Sequence, residues 1–204
     1  MQTFSIRKAF KAGWELFKNN KTVLIVSTFI MMVAGSFSSS HERAFRVVEF
    51  SSILIAVAIW IVVVILKIGW TKLLLKLLDG EVTSVKEMIQ HSNLFWKYLG
   101  TNLLYALMVS VGFVLLIIPG FYLMLKYGFA PIIIIDEHVS IRGAFKKSAE
   151  ITQGVKWKLL GLIIVVALAN ILGACIFFVG LFVSIPVSSL AYLSVYRKLI
   201  NKSA

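Results

Sequence analysis

Residues Trp157 to Val179 read WKLLGLIIVVALANILGACIFFV, and after Gly180 the stretch Leu181 to Tyr196 reads LFVSIPVSSLAYLSVY. A helix needs about 20 largely apolar residues to cross a bilayer, and fewer when its flanking residues reach the interface. Two such runs separated by little more than a glycine predict a tight hairpin of membrane-spanning helices. The same reading extends back along the chain. Thr22 to Ser38 is a first apolar run, and Phe50 to Leu66 a second, whose helix continues from Lys67 to Leu78 as an amphipathic extension. Tyr98 to Ile118 is a third, broken by Pro119-Gly120, since proline ends one helix and glycine permits the turn. Phe121 to Ile135 is a short fourth with a kink expected at Pro131, so the two runs above become the fifth and sixth.

Composition agrees with this. Of 204 residues 59% are hydrophobic and 15% charged, with a mean hydropathy of +0.92, whereas about a quarter of a soluble domain is charged. The excess apolar surface does not fit one compact core, so lipid is expected to cover part of it and residues 1–204 to form a single membrane domain. Met1 to Asn20 carries Arg7, Lys8, Lys11 and Lys18 and lacks a clean apolar stretch, so it does not read as a cleavable signal peptide. With Cys175 as the single cysteine, no intrachain disulfide is available.

The net charge of +12 would point to nucleic acid in a soluble protein. Here its distribution gives a simpler account. With the N-terminus inside, the segments 1–21, 67–97, 136–158 and 197–204 face the cytoplasm and hold 18 of the 21 Lys and Arg. The outer loops hold Arg43 and Arg46, and Lys126 falls within the fourth run. Cytoplasmic loops of membrane proteins gather Lys and Arg in this way, so both termini are expected in the cytoplasm. Trp14, Trp70, Trp96 and Trp157 then fall at the inner interface, where aromatic anchors concentrate.

Three of the cytoplasmic segments share a pattern: Ser5-Ile6-Arg7-Lys8-Ala9-Phe10, Ser84-Val85-Lys86-Glu87-Met88-Ile89 and Ser140-Ile141-Arg142-Gly143-Ala144-Phe145. Serine is a good helix N-cap, and Ser84 with Glu87 has the spacing of a capping box. In the first segment Ile6, Phe10, Gly13, Trp14 and Phe17 share a face, with Arg7, Lys8, Lys11 and Lys18 opposite or flanking it. That is the pattern of a helix lying in the interfacial plane. The fold expected is an all-α polytopic membrane bundle of six transmembrane helices and three cytoplasmic amphipathic surface helices. It forms three helix-plus-hairpin units at about 4–78, 84–135 and 140–200.

Residues 117–154 carry Ile117-Ile118-Pro119-Gly120-Phe121-Tyr122-Leu123, then Lys126-Tyr127-Gly128-Phe129-Ala130-Pro131 and Asp136-Glu137. They close with Ala144-Phe145-Lys146-Lys147-Ser148 and Thr152-Gln153-Gly154. This stretch resembles the membrane domain of glycerophosphoryl diester phosphodiesterase-type membrane proteins and related bacterial inner-membrane families. The resemblance covers about the last 90 residues. It implies a multi-pass protein of a bacterial inner membrane and carries no defined molecular activity. Where such a domain is fused to a phosphodiesterase, the hydrolase is a separate soluble domain, for which this chain is expected to have no room.

The remaining polar residues show no recognisable catalytic, cofactor or metal site. His41, His91 and His138 stand apart, with neither a Cys partner nor an i, i+4 pair. No nucleophile motif or glycine-rich phosphate loop occurs, so an enzyme is not expected. Lys126 is informative, because an ionisable group within a span is costly. It lies six residues past Gly120, about 9 Å from the outer helix end at 1.5 Å per residue. Two readings follow: it pairs with Glu49 near the outer end of the second run, or it snorkels to the outer headgroups. Asp136 and Glu137 read as a polar turn before a helix or as a cation site at a transport mouth, and Asn170 as a packing residue beside Gly161, Gly173 and Ala174. Arg7, Lys8, Lys11, Arg142, Lys146 and Lys147 are candidates for contact with anionic phospholipid headgroups. The function expected is envelope or lipid homeostasis, or assembly with a membrane-protein partner or a second copy. The alternative is a small-solute or lipid transporter or channel. Nucleic acid is not expected as a partner.

Overall fold

The computed structural model describes residues 4–41, 50–90, 92–175 and 180–201. Over these the chain is helical, with no strand among the described residues. The helices are α1 (Ile6–Asn19), α2 (Lys21–His41), α3 (Phe50–Leu78), α4 (Phe95–Leu115), α5 (Ile117–Tyr127), α6 (Ala130–Glu137), α7 (Ile141–Ile151), α8 (Lys156–Cys175) and α9 (Leu181–Ile200). Two short 3-10 turns, Val85–Ile89 and Ser92–Leu94, precede α4.

Among the described residues four stretches are long and apolar enough to cross a membrane: Leu54–Leu78, Phe95–Leu115, Ile117–Glu137 and Lys156–Cys175. α1 with residues 21–36 makes a fifth only as a pair bent by 100°. By length and composition the described residues thus hold four or five candidate spans, and α9 is not among them. The reason is its position. α9 is wrapped by α1, α2, α3 and α8 and buries Val187, Leu190, Ala191, Leu193, Tyr196 and Leu199. A helix covered by other helices needs no apolar exterior, so Ser184, Ser188, Ser189 and Ser194 lower its hydropathy without exposing a polar group to lipid.

Local chemistry accounts for several departures from the expected layout. The α4–α5 reversal is made by Leu116, which is extended (φ −168°, ψ 153°), rather than by Pro119-Gly120. Pro119 sits in the first turn of α5, where a helix has no use for the missing N–H. Gly120 serves close approach, since a Cβ there would stand 2.5 Å from the Phe113 ring. The fourth run breaks at Gly128-Phe129, with Pro131 in the first turn of α6. The segment after Ser84 is a 3-10 turn that buries Met88 against α3, not an amphipathic α-helix. Of the three serines, Ser140 caps its helix, accepting from the Gly143 N–H at 3.2 Å, while Ser5 makes no side-chain cap bond. The side chain of Glu87 lies outside the described residues.

α1 is amphipathic, yet its apolar face meets protein. It runs antiparallel to α9, with Phe4 and Ser5 beside Ser194–Lys198 and Gly13 beside Val187–Ala191. A Cβ at Gly13 would fall 2.8 Å from the Val187 carbonyl oxygen, so only glycine allows this approach. The buried set is Ala9, Gly13 and Phe17; Trp14, expected on that face, is 43% exposed.

Burial changes systematically along the long helices. In α3, Ile68, Leu73 and Leu74 are fully buried, whereas Leu54, Ile55 and Val62 are more than half exposed. α4 goes from buried Phe95 and Thr101 to Val114 at 87% exposure, and Ile118 of α5 is 82% exposed while Ile133 and Ile134 of α6 are fully buried. One end of the bundle is thus packed like a soluble core. The other bares apolar side chains over an area that water would not tolerate.

The packed end is tied by ions. Asp136 Oδ2 accepts from Tyr196 Oη at 2.8 Å and from Arg197 Nη1 at 2.6 Å, and Arg197 Nη2 reaches Asp79 Oδ2 at 2.5 Å. Glu137 receives Lys147 at 2.5 and 2.7 Å. Lys72 reaches the carbonyl oxygens of Ile135 and Asp136, and Lys97 that of His138, all at 3.4 Å. The side chain of Asp136 is 8% exposed, so removing its partner strands a charge in a dry site. Arg197→Met is expected to lower stability by about 3–5 kcal/mol. Adding Asp136→Asn should restore much of that, and unfolding of both variants in detergent micelles checks it.

Candidate functional site

Between α3, α8 and α9 lies a cleft of about 300 Å³. α9 forms its floor through Ser188, Ser189 and Tyr192, α3 contributes Trp70 and Thr71, and α8 contributes Asn170; Ile132 of α6 closes one side. Its polarity follows from the covered position of α9, which lets serines recur at Ser184 and Ser188, one turn apart. Thr71 spends its hydroxyl on the Lys67 carbonyl at 2.9 Å. The indole Nε1 of Trp70, Oδ1 of Asn170 and Oγ of Ser188 are buried without a hydrogen-bond partner, as is Oγ of Ser184 just above. An unpaired buried polar group costs about 1–3 kcal/mol, so these atoms are a local cost to the packing beside the cleft.

Trp70 only donates, Oδ1 of Asn170 accepts, and a serine hydroxyl does either. The residues lining the cleft carry hydroxyl, amide and indole groups and no charge. It offers no nucleophile–base pair, and among the described residues no group of His, Cys, Asp and Glu is arranged to hold a metal ion.

The residues singled out in the sequence are dispersed. Lys126 shares a shallow cavity with Lys146, Glu150 and Gln153 of α7 and its following turn and with Lys156 of α8. Its neighbours are therefore lysines of the segment that the charge pattern leads one to expect in the cytoplasm. The physical cause is α7, which folds back on α5. Ser148 donates its hydroxyl to the Lys126 carbonyl at 2.9 Å, and the Thr152 hydroxyl, 2.8 Å from the Ser148 carbonyl, lies 3.1 Å from the same Lys126 oxygen at the broken end of the helix. Glu49 lies outside the described residues, as do His91, Arg43 and Arg46.

Asp136 and Glu137 are committed to Arg197 and Lys147 and so form a structural tie. Lys147 is thereby withdrawn from the candidate lipid contacts, while Arg142 and Lys146 remain exposed. Arg7, Lys8 and Lys11 lie on the exposed side of α1. Asn170 belongs to the cleft, while the neighbouring Gly173 supplies the packing, touching Gly180 and Ser184 of α9. Trp70, expected as an interfacial anchor, faces the cleft with its N–H buried. No local signal marked the cleft, because Trp70 and Ser188 are over a hundred residues apart and no motif links them.

Since the cleft atoms lack protein partners, removing them should not weaken the fold. Asn170→Leu combined with Ser188→Ala is expected to unfold in micelles no more easily than the parent; a loss above about 2 kcal/mol would show that these groups hold the helices together. Comparison with family models, with curated proteins and with solved structures finds no match to this chain.

Proposed function

We propose that the chain is a multi-pass integral protein of a bacterial inner membrane, with both ends cytoplasmic and a non-catalytic role in envelope or lipid homeostasis. One observation carries this reading. The ends of α3, α6 and α9 and the start of α4 meet at the ion-paired end through Asp79, Asp136, Arg197 and Lys97. These are the segments that the positive-inside rule assigns to the cytoplasm, and the apolar surface lies away from them. The resemblance carried by residues 117–154 implies the same setting.

On this reading α2–α3 and α8–α9 cross the bilayer, and α4–α5 enters it from the cytoplasmic side. Leu116 is ten residues from Lys126, about 15 Å, or half of a hydrocarbon core about 30 Å thick. The reversal itself is wholly apolar, from Val114 to Pro119. In its backbone Leu116 N–H bonds the Gly112 carbonyl, Gly120 N–H bonds that of Leu116, and Pro119 has no N–H. Single cysteines in a Cys175→Ser background test the layout with a membrane-impermeant maleimide. Cysteine at Arg43 should label from outside and at Lys198 only after the cytoplasmic face is opened, while Leu116→Cys should label from neither side. Labelling of Lys198→Cys from outside would overturn the orientation.

The cleft favours a second reading, transport of a small uncharged solute. Proteoliposome swelling in glycerol distinguishes the two. Rates equal to those of empty liposomes support the first reading, and a raised rate abolished by Asn170→Leu supports the second.

A further inference from the structure

We propose that α5, α7 and α8 together form a binding site for one anionic phospholipid, with a headgroup pocket and an acyl groove in one continuous surface. The inference rests on the membrane setting proposed above and adds a specific ligand to it. The headgroup pocket, about 310 Å³, is bounded by Lys126, Lys146, Lys156, Tyr122, Glu150 and Gln153. Lys156 Nζ stands 3.9 Å from the Tyr122 ring centroid, and Lys126 Nζ lies 5.0 Å from that of Tyr127 and 6.0 Å from that of Tyr122. Three lysines therefore line one space with a single acidic residue, Glu150, giving its lining a net charge of +2. Among the described residues none of the three lysines has a carboxylate within 4.0 Å. The neighbouring Lys147 is different, being held by Glu137.

The groove starts where the pocket ends. It is a cavity of about 280 Å³ between α5 and α8, walled by Ile118, Phe121, Leu125, Leu160 and Trp157. Tyr122 and Lys156 line both spaces, so charge and apolar wall are contiguous. The groove runs along α5 from Leu125 toward Ile118, which leads away from the lysines and toward the apolar reversal at Leu116. Trp157 is 86% exposed beside Lys156, an aromatic at the boundary between the two. A free phosphate would use the pocket alone and leave the groove empty. A neutral lipid would use the groove alone and leave three lysines unanswered. A phospholipid with net negative charge satisfies both, its phosphate among the lysines and a chain in the groove.

The test uses the full-length protein in nanodiscs of equal parts phosphatidylglycerol and phosphatidylcholine, with lipids retained after release counted by native mass spectrometry. Retention of one phosphatidylglycerol in preference to phosphatidylcholine is expected. Replacing Lys126, Lys146 and Lys156 by glutamine should weaken it on the order of fivefold per lysine. The control Lys21→Gln with Lys86→Gln removes charge from exposed positions outside the site and should leave the preference unchanged; an equal loss there would reduce the effect to generic surface charge and overturn the site. Ile118→Trp, at an exposed position that the fold does not need, should narrow the groove and lower retention without altering unfolding. Glycerol 3-phosphate at millimolar concentration should not displace the lipid. Displacement would show a soluble-phosphate pocket and overturn the acyl part. Loss of lipid preference with the cysteine-labelling pattern intact would sink this site alone, whereas a reversed labelling pattern would sink the membrane reading on which it rests.

Discussion

The carboxylate of Asp136 is almost out of water, and the packed end of the bundle is organised around neutralising it. Arg197 does this from α9 and simultaneously takes Asp79 at the end of α3, while Tyr196 donates to the same oxygen. Three helices distant in sequence are thereby fixed to one point. Once α9 is held there, α1 lies along it and α8 comes against it through Gly173 and Gly180. Phe129 of α6 stacks on Tyr192 at 5.0 Å and stands 5.7 Å from Tyr196, so the apolar layer above the ions is built on the same three elements. Ion pairing of this kind contributes specificity of arrangement more than net stability.

The central position of α9 has a consequence for chemistry. Because protein covers it, α9 can hold hydroxyl groups that a lipid-facing helix would carry at a penalty. Those hydroxyls, with Asn170 and Trp70, make the uncharged cleft. The charged surface lies elsewhere, where α7 folds back and brings Lys146 and Lys156 to Lys126. The molecule therefore separates two kinds of polar site, one neutral and interior, one cationic and peripheral. They are built from different helices, apart from α8, which contributes Asn170 to the first and Lys156 to the second.

Much of the helical layout was legible in the sequence. Apolar runs located the long helices to within a few residues, and the continuation of α3 past Lys67 was readable from its amphipathic pattern. Proline and glycine located the α4–α5 reversal to within three residues, but proline marked the start of α5 instead of the turn, because an N-terminal turn tolerates a missing N–H. The Ser84 segment was misread. Its serine and acidic spacing are compatible with a helix cap, while the backbone there lies flat on α3 around Met88.

The amino-acid order by itself determined that these segments are helical, that several are apolar enough for a membrane, and that the basic charge belongs to one end. Those are local or additive properties, set by side-chain period, hydropathy and charge count. Which helix is central, where Lys126 sits, and which atoms line the cleft were decided only by the tertiary structure. Such properties depend on contacts between residues tens to more than a hundred positions apart, and hydropathy cannot tell a helix hidden by protein from one facing lipid. Lys126 shows the difference most directly. Distance along the helix leads to an expected outer surface, whereas the fold of α7 onto α5 sets Lys126 beside Lys146 and Lys156.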